Sequence, residues 1–295
     1  MTDRQRARWL GRLRTGLDFL LPPGCVVCGQ GSGPRDPSTG EARMLCPGCS
    51  SRIRRPPAPW CERCHAPLGT GTVSEKDHCR ECEGWPDALH RARSAAILRP
   101  PVDDLVHALK YGGWPEAARP MARAMRWVLP DVSGQGTPLL VPVPTTVKRR
   151  RLRGYNQARV LAEHLAAMTG FSLTDALVRA DGGGSQVALH RDARRANVEG
   201  AFSVHERLAT TLSGRPVLLV DDVLTTGATA SAVAEVLDEV GAGPIRLLVF
   251  ARTLPGRSAD PLEGSGLPPG FFDAINRRPH TDGPESGDRA TGRSG

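Results

Sequence analysis

Two adjacent carboxylates followed by a hydroxyl-rich turn are the residues of this chain whose types and spacing best suit chemistry. Asp221 and Asp222 come directly after the apolar residues 217–220, and a helical pattern begins at Ala228. A run that is apolar at every position predicts a strand that is buried on both faces, as in a parallel sheet covered by helices. Both carboxylates would then lie at the carboxyl end of this strand, where open α/β sheets bind ligands.

The turn after the acidic pair contains the donors of a phosphate site. It offers backbone N–H groups and three hydroxyls at a helix N-terminus, and it consists of Thr225, Thr226, Gly227, Ala228 and Thr229. Two carboxylates repel a phosphate, so the acidic pair needs a different task. Because ionised carboxylates only accept hydrogen bonds, their spacing suits the two vicinal hydroxyls of a ribose. The alternative is a structural strand followed by a capped helix.

A second candidate segment is basic and joins a predicted strand at 139–143 to a predicted helix at 155–168. We expect this loop to open at the same ligand-binding edge of the sheet. A pyrophosphate leaving group needs cations that stabilise its charge as the bond breaks. The candidates for that role are Lys148, Arg149, Arg151 and Arg153. The alternative is a solvated basic surface.

The cysteines have the spacing of zinc ligands. All of them fall in four Cys-x-x-Cys pairs: Cys25/Cys28, Cys46/Cys49, Cys61/Cys64 and Cys79/Cys82. Zinc sites are assembled from two such pairs on tight turns, and no cysteine is left over. Because no export signal is convincing, the pattern favours two structural Zn²⁺ ions over a disulfide framework. Consecutive pairs could share an ion, or the first pair could join the third. His65 and His78 flank the last two pairs, and we interpret them as bystanders.

Composition and periodicity divide the chain into four parts. We expect an amphipathic helix at 1–22, a double zinc ribbon at 23–90, an α/β domain at 91–254 and a disordered tail at 255–295. Within the α/β domain, apolar runs predict strands at 94–98, 139–143, 217–221 and 245–251. Helical spacing predicts helices at 102–111, 114–129, 155–168 and 228–240. Strands that alternate with helices predict a doubly wound parallel sheet, so the fold class is α/β with a small zinc-ribbon domain in front.

The formal net charge of +8 indicates polyanionic partners, either phosphorylated metabolites or nucleic acid. Codon bias in a GC-rich genome is an alternative cause, because nearly all the basic residues are arginine. No apolar run approaches the ~20 residues that span a bilayer. We therefore expect a cytoplasmic protein without stable membrane insertion.

The segment from Val217 to Thr229 resembles the ribose-phosphate signature of type I phosphoribosyltransferases, which bind phosphoribosyl pyrophosphate. The resemblance implies that Asp221 and Asp222 hold the 2′- and 3′-hydroxyls of the ribose. It also implies that residues 225–229 bind the 5′-phosphate. An Mg²⁺ ion would accompany the pyrophosphate.

The whole layout is similar to the ComF family of competence-associated phosphoribosyltransferase-like proteins. The cysteine pairs and the segments 107–111, 153–158 and 195–202 come in that family's order. The resemblance implies that Lys110 lies near the site, although a helix lysine that extends to solvent is an equal alternative. The glycine-rich segment 181–186 departs from the family's pattern. We interpret it as part of a mobile loop whose arginines could reach a phosphate: Arg191, Arg194 and Arg195. The alternative for these arginines is a role on the surface.

Three functions are consistent with these residues. The first is an enzyme that transfers the phosphoribosyl group to a nitrogen acceptor. The second is an accessory protein of DNA uptake that binds single-stranded DNA through the zinc ribbons and the basic loop, with the phosphoribosyl site as a sensor or relic. The third is a regulator whose ligand state changes a contact with another protein, such as a DNA-uptake protein.

Overall fold

The structure of the protein is a computed structural model, and it describes residues 24–33, 35, 40, 42–68, 79–129, 136–180 and 200–254. The predicted helix at 1–22 and the predicted tail at 255–295 lie outside the described residues. The glycine-rich segment 181–186 and the three arginines that follow it also lie outside them.

The strands of the described residues form one parallel sheet and one antiparallel pair. Their bounds are β1 Leu89–Ile97, β2 Leu139–Pro142, β3 Leu177–Arg179, β4 Phe202–Val204, β5 Val217–Leu224 and β6 Ile245–Arg252. The parallel sheet has the order β1-β6-β5-β2, and β3 pairs with β4. A single parallel bridge between Leu140 and Leu173 continues the sheet beyond β2.

Helices connect these strands. Their bounds are α1 Pro47–Ser51, α2 Val102–Tyr111, α3 Ala118–Arg126, α4 Val147–Arg153, α5 Gln157–Thr169, α6 Glu206–Leu212 and α7 Ala228–Glu239, with a 3₁₀ turn at Pro115–Ala117. Helices pack on both faces of the parallel sheet, so the predicted doubly wound α/β fold is confirmed. Within the described part of the chain, no helix combines the length and the apolar content that crossing a membrane requires.

Two predicted strands have different bounds: β1 begins at Leu89 and not at 94, and β5 continues to Leu224 and not only to 221, so the acidic pair is followed by two further strand residues. Two other predicted elements differ in kind. The helix predicted at 114–129 is divided into the 3₁₀ turn and α3, because Pro120 has no N–H to donate and fits only the first turn of a helix. The basic segment predicted as a loop is the helix α4. The side chain of Thr146 accepts a hydrogen bond from the backbone N–H of Arg149 at 3.2 Å, and Gly154 ends the helix at φ 84°.

Side chains of alternate strand residues build two separate cores, one on each face of the sheet. On one face, Leu218 and Val220 pack with α2, α3, α5 and the first cysteine group, which we define as Cys25, Cys28, Cys46 and Cys49. On the other face, Val217 and Leu219 pack with α7 and the second cysteine group, which we define as Cys61, Cys64, Cys79 and Cys82. The two halves of the zinc ribbon therefore cover opposite faces of the same sheet.

Backbone hydrogen bonds attach both halves to the edge strand β1. The N–H of Ile97 donates to the carbonyl of Arg54 at 2.8 Å, next to the first cysteine group. The N–H of Ala92 donates to the carbonyl of Arg63 at 2.7 Å, inside the second group. The ribbon is thus continuous with the sheet.

Candidate functional site

The order in which the chain adds neighbouring strands to the sheet reverses between β2 and β5, which are themselves parallel. From β2 the chain moves outward to the Leu173 bridge, and from β5 it moves the other way to β6. Such a switch point leaves a crevice at the carboxyl ends of the two strands, which is the ligand position of open α/β sheets. The ladder between β2 and β5 ends at Pro142 and Val220, whereas Asp221 still pairs with Val249 of β6. The acidic pair therefore begins where β5 extends past β2.

Asp222 is held by a lysine. Its side chain points to the sheet face of Val220, and it is only 3% exposed. Nζ of Lys110, in α2, lies 2.8 Å from Oδ1 of Asp222. Among the residues that the structure describes, Oδ2 of Asp222 has no hydrogen-bond partner. The predicted proximity of Lys110 to the site is confirmed, and one buried acceptor remains for an outside donor.

Asp221 has a different environment. Its side chain is half-buried, and its Oδ1 accepts a hydrogen bond from the backbone N–H of Asp222 at 2.8 Å. Burial, and then the neighbouring charge of Asp222, raise the pKa of Asp221 to about 7, although Lys110 and Arg179 oppose the shift. This carboxyl can therefore change its protonation near neutral pH.

The turn after β5 is the predicted phosphate-binding segment, and we call residues 225–229 the phosphate turn. Thr225 is exposed, and Thr226, Ala228 and Thr229 are half-buried. Gly227 is the N-cap residue of α7, with φ +84° and no side-chain cap. The N–H of Ala228 reaches Oγ1 of Thr226 at 3.4 Å. The first turn of α7 thus has the N–H groups and positive dipole end that the sequence predicts for an anion site, with the N–H of Ala228 already bonded to Thr226.

The candidate pyrophosphate cations lie on α4. Lys148, Arg149 and Arg151 are exposed. Arg153 donates to Oε1 of Gln157 at 2.9 Å, and its guanidinium carbon lies 4.9 Å from the ring centre of Tyr111. Tyr111 directly follows Lys110, so Arg153 is the candidate whose contacts reach α2, the helix whose Lys110 pairs with Asp222.

A tyrosine hydroxyl fastens this basic helix to α2. Oη of Tyr155 donates to the carbonyl of Leu109 at 2.6 Å, and the side chain of Asn156 donates to the carbonyl of Val143 at 3.1 Å. The basic segment therefore has a fixed position beside the β2 end of the crevice.

The two cysteine groups match tetrahedral zinc sites. The sulfur atoms of each group lie within 4.8 Å of one another, so consecutive pairs share a site and the cross-brace alternative is wrong. Sulfurs on a tetrahedron with a Zn–S distance of about 2.3 Å stand about 3.8 Å apart. The measured separations include 3.7 Å for Cys61–Cys82 and 3.4 Å for Cys64–Cys79. All eight thiols are free of disulfides.

His65 is a structural residue. Its Nδ1 accepts from the backbone N–H of Ser94 at 3.1 Å, and the side chain is buried. Burial, followed by the charges of Arg93 and Arg252, lowers the pKa of His65 to about 4. A neutral buried ring bonded to β1 agrees with its interpretation as a bystander, whereas His78 lies outside the described residues.

Sequence reasoning missed three residues around the crevice. Trp85 donates from Nε1 to the carbonyl of Thr226 at 3.1 Å, although the two are 141 positions apart. Buried Arg252 donates from Nη1 to the carbonyl of Cys64 at 2.5 Å. Arg179 lowers the pKa of Asp221 from its place at the end of β3. The position of Trp85, three residues after Cys82 of the last cysteine pair, is the signal that the sequence offers.

Comparison with known proteins agrees with both parts of this architecture. The family described as "Double zinc ribbon domain" matches residues 16–83, and the family described as "Phosphoribosyl transferase domain" matches residues 153–262. The DNA utilization protein YhgH of Salmonella typhi is 30% identical over 242 residues, which are 80% of this chain and 100% of that protein. The chain belongs to the ComF family.

Other ComF relatives and solved structures are more distant. Competence protein F of Haemophilus influenzae is 27% identical over 216 residues, which are 70% of this chain and 90% of that protein. A solved structure described as the allosteric regulatory enzyme of purine biosynthesis is 17% identical, with a TM-score of 0.30. The match covers 46% of this chain and 25% of the chain in that structure.

Proposed function

We propose that this ComF protein binds phosphoribosyl pyrophosphate with Mg²⁺ in the crevice between β2 and β5, and transfers the phosphoribosyl group to a nitrogen acceptor. The observation that carries the proposal is the Lys110–Asp222 pair, 2.8 Å apart with Asp222 buried, beside a half-buried Asp221 and a helix N-terminus that begins at a glycine. Lysine and carboxylates lie on the sugar side, and amide donors lie on the phosphate side.

Each group has a task in this reaction. Oδ2 of Asp222 and the carboxylate of Asp221 accept the ribose hydroxyls, and the N–H groups of the phosphate turn hold the 5′-phosphate. Carboxylate oxygens are also compatible with a substrate-bound Mg²⁺, which when bound neutralises the pyrophosphate leaving group. The bond from the anomeric carbon to the pyrophosphate breaks, and the acceptor nitrogen forms the new bond.

No protein nucleophile is needed for such a transfer. As the leaving group departs, the cations at the β2 end stabilise its negative charge. Among them, Arg153 is the one whose contacts reach α2. The ribose develops oxocarbenium character, which the nearby carboxylate of Asp221 stabilises. Catalysis then rests on positioning and electrostatics.

The test is release of pyrophosphate from phosphoribosyl pyrophosphate with a panel of nitrogenous bases. Wild type should release it with at least one base, and Asp221→Asn should lose the activity. Asp238→Asn, the same change at an exposed position of α7, is the matched control and should retain it. A protein that binds the substrate yet turns over with no base would overturn the transferase assignment.

A second candidate is binding of single-stranded DNA, and one surface favours it. The basic helix α4 reaches an exposed aromatic ring through Arg153, whose guanidinium carbon lies 4.9 Å from the ring centre of Tyr111; Tyr111 is 67% exposed, and Trp114, three residues further along the chain, is 52% exposed. Alternating cations and aromatic faces suit a single strand, because phosphates pair with the charges and bases stack on the rings. The relatives named for DNA utilization and competence make this ligand pertinent. Salt-dependent strand binding without turnover is the result that separates this function from transfer.

A further inference from the structure

The indole of Trp85 lies against the phosphate turn. Trp85 is 8% exposed and follows the second cysteine group. Its Nε1 donates to the carbonyl of Thr226 at 3.1 Å. A Cβ atom placed on Gly227 would stand 2.5 Å from Nε1, 2.6 Å from Cε2 and 2.7 Å from Cζ2 of the same ring. The ring therefore fills the space that any side chain at position 227 would need.

This contact determines which way the turn presents its amides. The carbonyl of Thr226 and the N–H of Gly227 belong to one trans peptide, so they point in opposite directions. Glycine at φ +84° tolerates either orientation of that peptide. A hydrogen bond from the indole holds the carbonyl away from the ligand and leaves the N–H of Gly227 facing the anion.

The zinc ribbon holds Trp85 in turn. Arg63 lies between the ligands Cys61 and Cys64 and is 7% exposed. Its guanidinium donates to the carbonyl of Cys82 at 3.4 Å, to that of Trp85 at 3.3 Å and to that of Pro86 at 2.8 Å. One buried arginine thus ties the metal-binding turns to the backbone on either side of the indole.

A second connection reaches the same turn through the sheet. Arg252 donates to the carbonyl of Cys64 at 2.5 Å, and in the ladder it pairs with Leu224, the last residue of β5. The phosphate turn begins at the next residue, Thr225. The ribbon is therefore fixed to the sheet at the start of the turn and touches the middle of it through Trp85.

We infer that Trp85 is a positioning residue for the phosphate turn, and that the second cysteine group is thereby part of the ligand site. The inference rests on the proposed function and adds to it the route by which the ribbon acts. The first cysteine group packs on the opposite face of the sheet with α2, α3 and α5. Its role is to stabilise the fold.

The experiment uses Trp85→Phe, which retains an apolar ring and removes the donor. Its matched control is Trp60→Phe, at a 37% exposed ring of the same ribbon. Ribose 5-phosphate and Mg²⁺-pyrophosphate are titrated separately by calorimetry, with zinc content measured on each sample. Trp85→Phe should lower the affinity for ribose 5-phosphate about three- to tenfold, as the loss of one hydrogen bond predicts. The affinity for pyrophosphate and the zinc content should not change. Trp60→Phe should match wild type for both ligands.

A spectroscopic signature accompanies the affinity change. The indole ¹⁵N–¹H resonance of Trp85 should shift when ribose 5-phosphate is added to wild type, and that of Trp60 should stay in place. The Trp85 resonance is identified by its absence from Trp85→Phe. Should that variant not fold, elimination with phenylalanine variants of Trp9, Trp60, Trp114 and Trp127 identifies it.

The outcomes are distinguishable. If wild type binds ribose 5-phosphate while Trp85→Phe binds it equally well and the indole resonance does not move, the inference is overturned and the proposed function stands. If wild type binds neither ribose 5-phosphate nor phosphoribosyl pyrophosphate, both are overturned.

Discussion

At the scale of single residues, the acidic pair consists of two unlike carboxylates. Asp222 is buried and held by Lys110, so its charge has a fixed partner. Asp221 is half-buried on the other face of the strand, and its pKa is raised to about 7. The sequence predicts the same role for both carboxylates, but the alternation of side chains along β5 places them on opposite faces of the sheet. One is paired with a lysine, and the other is an acceptor whose pKa is raised toward neutral pH.

The raised pKa of Asp221 predicts a pH-dependent stability. Because the folded state holds this proton up to about pH 7 while the ordinary value is 3.8, the folded state binds more protons between these values. The free energy of unfolding should therefore fall as pH rises from 5 to 7, and more steeply for wild type than for Asp221→Asn. Urea unfolding at pH 5, 6 and 7 measures this free energy. The control Asp238→Asn should show the same pH dependence as wild type. Parallel profiles for wild type and Asp221→Asn would be inconsistent with the raised pKa.

Removal of Lys110 should leave a buried charge without a partner. We expect Lys110→Met to lower the free energy of unfolding by about 3 kcal/mol, and a further Asp222→Asn change to restore part of that loss. Arg159→Met, which breaks exposed pairs with Glu163 and Asp175, should cost about 1 kcal/mol or less. Denaturant unfolding compares the three variants. Equal losses in Lys110→Met and Arg159→Met would show that the buried pair has no special role.

At the scale of elements, the sequence predicts those whose signals are local. Apolar runs identified the four parallel strands, and Gly170 with φ 75° ends α5 as expected. The helix α4 also had local signals, a threonine before it and a glycine after it, but its run of charges favoured the interpretation as a loop. The antiparallel pair β3–β4 is short and joins distant segments, so periodicity gave no indication of it.

The basic surface of α4 predicts the salt dependence of strand binding. Arg149→Gln with Arg150→Gln should weaken binding of a single-stranded oligonucleotide and lower the slope of log affinity against log salt by about 1.4, or 0.7 per lost phosphate contact. Arg91→Gln with Arg207→Gln removes the same charge from exposed positions outside α4 and should leave the slope unchanged. Fluorescence anisotropy over a range of salt concentrations measures both. An equal change in both pairs would indicate a nonspecific effect of net charge.

At the scale of the whole molecule, the two halves of the zinc ribbon have separate neighbours. The first cysteine group packs in one core and the second in the other, with Trp85 extending from the second to the phosphate turn. No sequence pattern links Trp85 to Thr226, because a contact across 141 positions depends on the folded sheet. The consecutive pairing of the cysteines also depends on the folded structure, because the sequence spacing fits the consecutive pairing and the cross-brace pairing equally well.

Separate neighbours predict separate consequences of losing each metal. Elemental analysis should find about two zinc ions per chain, and Cys28→Ser and Cys79→Ser should each retain about one. Cys79→Ser should also lower the affinity for ribose 5-phosphate, because loss of this metal ligand loosens the part of the ribbon that holds Trp85. Cys28→Ser, at an exposed ligand of the first group, should leave that affinity close to wild type. Equal weakening in both variants would contradict a dedicated route through the second group.

The central claim is that a sugar-phosphate binds where β5 delivers its acidic pair to the phosphate turn. Titration calorimetry with phosphoribosyl pyrophosphate and Mg²⁺ tests it most directly, on wild type and on Asp221→Asn with Asp222→Asn, with zinc measured in the same samples. We predict saturable binding to wild type and no detectable binding to the double variant, with about two zinc ions retained in both. Unchanged affinity in a zinc-loaded double variant would contradict the account.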